Sequence, residues 1–384
     1  MADIEAMFHQ VNVCYKDRDF LQFLWWASNN LNTEPEEFQM TVHLFGAKSS
    51  PTCANFATDN ADEFDEDVVE TIKRNFYVDD CLKSVLNDDV AIKLAADLRD
   101  LLQRAGFRLT KWVSNSPKVL ASIPEIEGAG SVKDLCLEQL TLERTVGVQW
   151  NVRLDQCGFK IKMKTKPATR RGVLSMVSSV YDPLGFVAPF VLVAKIIMQD
   201  LCRKNLSWDD VSQGDYLKRW ESWLGQLMKI EQLCIPRCFK PHQFGRTTSI
   251  QLHLFADASE RGYGAVGYLR LVNKVGDIYV AFVIDKARVA PLKVITIPRL
   301  ELSPAVVAAR LDKMICSEID LSIDSTDSTT VLGYVANKHK RFKTFVANRL
   351  AVIHETTVPT QWRYVNTCLN PADDASRELQ ADAL

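Results

Sequence analysis

Asn75-Phe76-Tyr77-Val78-Asp79-Asp80 sets two adjacent carboxylates directly after a short apolar run. Two carboxylates forced together repel each other, and the pair costs stability unless a cation sits between them, which a divalent metal supplies. An Asp-Asp pair on its own is also the ordinary chemistry of an acidic β-turn, so the meaning of this one lies in its surroundings. Upstream, Asp3 heads Asp3-Ile4-Glu5-Ala6-Met7-Phe8-His9-Gln10-Val11, and Phe45-Gly46-Ala47-Lys48-Ser49-Ser50-Pro51 lies between the two. Downstream come Ala105-Gly106-Phe107-Arg108-Leu109-Thr110-Lys111-Trp112 and Val146-Gly147-Val148-Gln149-Trp150.

Composition bounds the rest. The chain has 384 residues, 47% apolar and 24% charged, with a formal net charge of −2. That length allows two or three domains, and the apolar fraction excludes a disordered or collagenous protein. Ten cysteines in this length are too few for a disulfide scaffold and read as reduced thiols. The opening Met-Ala-Asp-Ile-Glu has no basic n-region, so no signal peptide is expected. The apolar run Leu184 to Ala194 is too short to span a bilayer and is interrupted by Pro189. A soluble, intracellular, cytoplasmic protein with no membrane partner is therefore expected. The net charge argues mildly against a nucleic-acid binder, but the charges are unevenly distributed. Lys160, Lys162, Lys164 and Lys166 recur at every second residue and lead into Arg170 and Arg171 with no acid among them; on a strand, the four lysines share one face. Lys338, Lys340, Arg341, Lys343 and Arg349 form a second basic group in a helical-looking stretch. Solvated faces are the plain alternative for both.

The pattern divides into residues 1–155, 156–245 and 246–384. In the first region, Ile4 to Tyr15, Asn75 to Tyr77 and Val146 to Trp150 read as strands or strand edges. Ile92 to Ala105 reads as a helix stopped by Gly106, and the acids around residues 59–67 as an exposed turn. The second opens with the lysine-rich strand and continues as helix from Arg171, broken at Asp182-Pro183-Leu184-Gly185, with Trp208, Trp220 and Trp223 expected as core anchors. In the third, Ile250 to Ala256 alternates as a strand ending on Asp257, and Ile278 to Ile284 is a second strand. Leu300 to Met314 and Thr329 onward are helices, and Trp362 to Val365 is a short strand. Strands followed by alternating helices and a further strand suit an RNase H-like α/β domain.

The blocks around Asp3, Phe45 to Pro51, Asp79-Asp80, Lys111 and Trp150, taken in this order, resemble the reverse-transcriptase palm of a BEL/Pao-type LTR-retrotransposon Pol polyprotein. Arg171-Gly172-Val173-Leu174-Ser175-Met176-Val177-Ser178-Ser179-Val180-Tyr181-Asp182-Pro183-Leu184-Gly185 is also characteristic of that group, so the resemblance covers nearly the whole chain. It implies an α+β palm over 1–155, a helical thumb or connection over 156–245, and an α/β RNase H-like domain over 246–384. Asp3, Asp79 and Asp80 become the metal-binding catalytic triad for two Mg²⁺ (or Mn²⁺) ions. Phe45, Gly46, Ser50 and Pro51 would lie against template and incoming nucleotide, and Lys111 against the leaving phosphate. The chain starts two residues before Asp3, so the expectation is that the fingers are missing and that polymerisation fails for want of triphosphate contacts.

In the third region, Asp257 in Leu254-Phe255-Ala256-Asp257-Ala258-Ser259, Glu301 in Pro298-Arg299-Leu300-Glu301-Leu302, Asp327 in Thr326-Asp327-Ser328-Thr329-Thr330 and Asp373 in Asn370-Pro371-Ala372-Asp373-Asp374-Ala375-Ser376-Arg377 follow the order Asp, Glu, Asp, Asp. Each reads singly as a turn or capping residue, Asp327 as N-cap-like. Together they resemble the RNase H acids of the same Pol, which hold two Mg²⁺ or Mn²⁺ ions and cut the RNA strand of an RNA:DNA hybrid. Asp374 is the runner-up for the fourth acid and Asp324 for the third. The resemblance implies RNA/DNA template-primer and hybrid as partners, dNTP if polymerase-competent, other Pol segments, and residence within virus-like particles. Lys160, Lys162, Lys164, Lys338, Lys340, Arg341 and Lys343 are candidates for salt-sensitive backbone contacts. Hydrolysis of hybrid is ranked ahead of polymerisation. The alternatives are an inactive retroelement fragment that binds nucleic acid, and a Pao-type aspartic peptidase, disfavoured because neither Asp-Thr-Gly nor Asp-Ser-Gly occurs. Cys234, Cys238 and His242 suggest a zinc site but lack a clear fourth ligand and are read as structural, with His253 as a conceivable fourth.

Overall fold

The computed structural model describes residues 1–26, 30–44, 64–129, 142–145, 148–161, 166–241, 243–293, 295–319, 324–328, 332–336 and 341–384. They form two compact units, residues 1–155 and 156–384. Among the described residues no helix is long and apolar enough to cross a membrane.

The first unit contains β1 (Ala2–Ile4), β2 (Gln22–Trp25), β3 (Glu36–Gln39), α1 (Glu66–Arg74), β4 (Phe76–Tyr77), β5 (Asp80–Cys81), α2 (Asp88–Arg104), β6 (Leu109–Thr110), α3 (Pro117–Ala121), β7 (Leu142–Thr145) and β8 (Val148–Asn151). Four of these strands make a small antiparallel sheet in the order β4-β5-β1-β6. The helix read from Ile92 to Ala105 is α2. Asn87 caps it by accepting from the Val90 N–H at 3.0 Å, and Gly106, at φ 82°, follows its end. Its buried stripe of Ala95, Leu98, Leu101 and Leu102 packs with Ile4, Phe8, Val68 and Phe107. The strand expected over Ile4 to Tyr15 is instead the three-residue β1 followed by a 3₁₀ turn, Met7–Gln10. Ala6 bends the chain at φ 48°, and Met7 and Phe8 are buried consecutively, which a two-residue period does not allow. The acidic stretch expected as a turn contributes Glu66 and Asp67 to the first turn of α1, where the helix dipole favours acids; residues 59–63 lie outside the described residues.

The second unit contains β9 (Gln156–Gly158), α4 (Arg170–Val177), α5 (Ala188–Arg203), α6 (Asp215–Leu227), β10 (Ile235–Pro236), β11 (Thr247–Ala258), β12 (Gly262–Asn273), β13 (Ile278–Val289), α7 (Ile297–Leu300), α8 (Leu302–Glu318), β14 (Asp324–Ser328), α9 (Leu332–Val335), α10 (Thr344–Thr356), β15 (Trp362–Arg363) and α11 (Ala372–Ser376). Its main sheet runs β13-β12-β11-β14-β15. The first three strands are antiparallel, while β14 is parallel to β11 and β15 to β14. Strict alternation on β11 buries Leu252, Leu254 and Ala256 on one face, where Val307, Ala308, Leu311 and Ile315 of α8 cover them. On the other side of β13, Leu192 and Ile196 of α5 pack against Ala287. The boundary expected near residue 245 therefore lies inside this unit.

The helices before the sheet have their own core. Thr169 caps α4 by accepting from the Gly172 N–H at 3.1 Å. Trp220 and Trp223 are buried and stacked with ring centroids 5.1 Å apart, and the Trp223 indole donates to the Phe190 carbonyl at 3.0 Å. Trp208, expected as a third anchor, is 44% exposed and carries the Arg170 guanidinium over its ring at 4.4 Å. A cation–π partner, not a core, is what holds it. Asp327, read as a helix cap, lies within strand β14.

Candidate active sites

In the first unit the register of the small sheet decides the geometry. Asp3 on β1 is the direct cross-strand partner of Asp80 on β5, and on its other side of Thr110 on β6. Residues paired in this way have Cα atoms about 4.5–5.5 Å apart, so two acids 77 positions apart in sequence become neighbours. Asp79 is tied in through its carbonyl, which accepts from the Ile4 N–H at 2.8 Å. Burial raises the Asp80 carboxyl above its ordinary value; Asp79 and Asp3 raise it further, and Lys111 opposes them. Lys111 donates to both Asp3 oxygens at 3.0 Å, and that bond holds its ammonium above the usual lysine range. The ammonium is 67% exposed, so the pair is weak and a stronger cation competes with it. Both turns that deliver these groups are strained. Val78 has φ 61° and Lys111 φ 52°, a left-handed region that costs a β-branched residue such as Val78 most.

In the second unit Asp257 stands one residue before the end of β11, on the face opposite Ala256. Its Oδ2 accepts from the Ser376 hydroxyl of α11 at 2.6 Å, across 119 positions of sequence. The same hydroxyl lies 3.1 Å from the Asp373 carbonyl. Burial raises the Asp257 carboxyl; the Ser376 hydrogen bond opposes that, and the neighbouring Asp373 carboxylate adds to it. Asp373 is 2.8 Å from Arg377 Nε. The helix α11 sits this close because Gly264, the cross-strand partner of Asp257, has no side chain: a Cβ there meets Ala375 Cβ at 2.8 Å. Glu301 stands at the junction of α7 and α8. Asp327 is the register partner of Leu254, three residues before Asp257, and Asp324 that of Gln251.

Of the other candidates, Phe45, Gly46, Ser50, Pro51, Lys162, Lys164, Lys338, Lys340 and His242 lie outside the described residues. Lys160 and Lys166 are exposed, and Phe159 and Ile161 are buried on either side of Lys160. Arg341 and Lys343 are exposed just before and at the N-cap of α10, while Arg349 packs over the Phe345 ring at 3.6 Å. Cys234 and Cys238 are exposed and in no disulfide, and Arg237 donates to the Cys238 sulfur at 3.3 Å. Among the described residues, no group of three or more His, Cys, Asp or Glu side chains is gathered for a metal ion.

Sequence reading missed a buried polar group beside the second site. The carboxylate of Asp182 in the Asp182-Pro183-Leu184-Gly185 turn accepts from the N–H groups of Gly185, Phe186 and Val187, each at 2.9 Å. The turn is stitched to β13: the Asp285 N–H donates to the Leu184 carbonyl at 2.8 Å, and Lys286 Nζ to the Pro183 carbonyl at 2.6 Å. Asp285 is 4% exposed and its Oδ1 has no hydrogen-bond partner among the described residues. Burial first, and then the Asp182 carboxylate, push it up to about 7. Burial lowers the neighbouring Lys195. Only the turn-forming Asp-Pro-x-Gly signal marked the place; nothing in the spacing links Asp182 to Asp285.

Residues 169–330 match the model of a family described as Pao retrotransposon-like RNaseH-like domain. No curated protein sequence matches the chain. Among solved structures it is similar to the foamy viral protease-reverse transcriptase in complex with RNA/DNA hybrid, at 16% identity and a TM-score of 0.56, over 95% of this chain and 43% of that one. It is also similar to the foamy viral protease-reverse transcriptase in complex with dsDNA, at 15% identity and a TM-score of 0.51, over 95% of this chain and 67% of that one. The chain thus spans less than half the length of the first of these, and at such identities the likeness is one of fold. The turn of Asp182, the sheet bearing Asp257 and the junction of Glu301 all lie inside the matched segment, so residues 169–330 are similar to the Pao retrotransposon-like RNaseH-like domain, and the chain shares its fold with the foamy viral structures.

Proposed function

We propose that the second unit hydrolyses the RNA strand of an RNA:DNA hybrid, with Asp257, Glu301, Asp327 and Asp373 holding two divalent cations. The observation that carries this reading is the convergence of β11 and α11, which sets Asp257 beside Asp373 through the Ser376 hydroxyl. An all-oxygen donor set suits Mg²⁺ or Mn²⁺, and the pressure of the Asp373 carboxylate on Asp257 is of the kind a bound dication relieves. When bound, two such ions supply the charge that generates a hydroxide nucleophile and stabilises the departing oxygen. The chain's own residues orient the acids and bind phosphate: Lys160, Lys166, Arg341 and Lys343 are exposed cations suited to sequence-independent contacts with the hybrid backbone. The test is cleavage of a labelled hybrid by the full chain. Asp257→Asn is expected to abolish cleavage while leaving the circular-dichroism melt unchanged; a variant that cuts as fast as the parent contradicts the assignment.

In the first unit Asp3, Asp79 and Asp80 are the proposed holders of cations for nucleotide addition to a primer. A second reading, nucleic-acid binding without turnover, is favoured by one feature of both sites: Lys111 neutralises Asp3 and Arg377 neutralises Asp373. Primer extension by the parent and its loss in Asp80→Asn support addition; hybrid retention with neither extension nor cleavage supports binding alone.

A further inference from the structure

The last fifteen residues of the chain do more for the acid site than deliver Asp373. Asn370 Nδ2 donates to the Ala256 carbonyl at 3.2 Å, one residue before Asp257. Ser259 Oγ donates to the Ser376 carbonyl at 2.7 Å, and Gly264 admits Ala375 against the sheet. Further along, Glu378 pairs with Arg261 and Arg219, both of which also bind the buried Asp200 of α5, and Lys229 donates to Asp382 at 2.6 Å. The C-terminal segment is therefore fixed at several points that do not involve the Ser376 hydroxyl. That hydroxyl, fully buried, is left to do one thing: it lies at hydrogen-bond distance from Asp257 Oδ2 and from the Asp373 carbonyl at once.

We infer that Ser376 is the positioning residue of the acid site, its hydroxyl fixing the rotation of the Asp257 carboxylate and its distance from the Asp373 backbone so that the two acids present a cation-ready pair. The inference rests on the hydrolytic reading of this site. The Ala258 N–H engages the Asp257 carboxylate from its own strand, and the buried Ser376 donor adds a second point of contact from α11, which together fix its rotation in advance of binding. Partners of this kind, behind the groups that touch a metal, typically account for 10–100-fold in metal affinity.

The experiment is a Mn²⁺ titration of the full chain, followed by calorimetry and by the spin-resonance signal of free Mn²⁺, with Asp80→Asn in every sample to silence the acids of the first unit. Ser376→Ala is expected to weaken binding about 10-fold with an unfolding midpoint close to the parent's, and Ser376→Thr, which keeps the hydroxyl, to recover most of the loss. Ser259→Ala, which cuts a tie of α11 without touching the Asp257 hydrogen bond, is expected to bind as the parent does. Parent-like binding by Ser376→Ala overturns the inference, as does an equal loss in Ser259→Ala, which would make the role one of packing. If Ser376→Ala does not fold, Ser376→Cys, whose thiol donates weakly, is read by the same criteria. Parent-like binding by Asp257→Asn removes the site itself, and the inference falls with it by a different and recognisable result.

Discussion

The two acid sites of this chain place the same chemical groups on supports of very different kinds. Asp3 and Asp80 face each other across strands of three and two residues, delivered by turns at Val78 and Lys111 whose backbones are strained, and Asp3 is held by an exposed ammonium. Asp257 is the penultimate residue of a strand of twelve, paired along its length with a second of twelve, and a fully buried hydroxyl donates to it. Each backbone pairing in the long ladder supports its neighbours, so a group at its end is located by many bonds. A short strand leaves its group to a few. Pre-organisation is what makes charged groups effective in catalysis, and on that measure the second site is the better built.

The contrast can be broken where the second unit carries its own cost. Asp285 is buried beneath the Asp182 turn with its carboxyl raised from 3.8 to about 7. For an acid whose folded value lies above its unfolded one, folding favours the protonated form. The stability it contributes is therefore full below about pH 4 and is lost progressively as pH rises to about 7. Asp285→Asn is expected to stabilise the second unit at pH 8 by up to about 4 kcal/mol, with the gap to the parent widening between about pH 4 and pH 7 and levelling off above that in thermal melts. A gap that does not change with pH refutes this account of Asp285.

A smaller effect separates the acids directly. Gly264→Ala drives a methyl into Ala375 and against the Lys286 carbonyl, 3.1 Å away. Overpacking of this kind costs about 1–3 kcal/mol. Here it also pushes α11 from the sheet, so hybrid cleavage should fall by more than the loss of folded protein explains. Cleavage that tracks the folded fraction alone contradicts the geometry proposed for Asp257 and Asp373.

The smallest effect lies in the first unit. Val78→Gly relieves the left-handed backbone of the turn and is expected to stabilise it by about 1 kcal/mol. Hydrogen exchange at the Asp80 and Cys81 amides should then slow about fivefold. Unchanged exchange means the strain at Val78 is not released by glycine.

How much of this was legible in the sequence depended on how local the signal was. The alternation of Ile250 to Ala256 and the stripe of α2 are properties of neighbouring residues, and both are elements of the structure. Trp208 failed because a tryptophan near amphipathic helices packs equally well against a core or under a guanidinium, and only the fold chooses. For Asp327 the strand removes only the N-cap alternative, which arises because a Thr-Asp-Ser-Thr stretch has the composition of a cap wherever it lies. Asp3 and Asp80 were matched by resemblance before any register placed them opposite each other. Nothing local marks Ser376, because its partner is 119 positions away and a serine carries no charge.

Hydrolysis of hybrid RNA, as proposed for the second unit, differs from mere binding in one observable, the fate of the RNA strand. The most direct measurement incubates the full chain with an RNA:DNA hybrid labelled on the RNA strand, with Mg²⁺ or Mn²⁺, beside the same RNA alone. Metal-dependent internal cleavage of RNA in the hybrid, and none of the free RNA, is the predicted result. Hybrid that is retained by the protein but stays intact in both metals would contradict the claim.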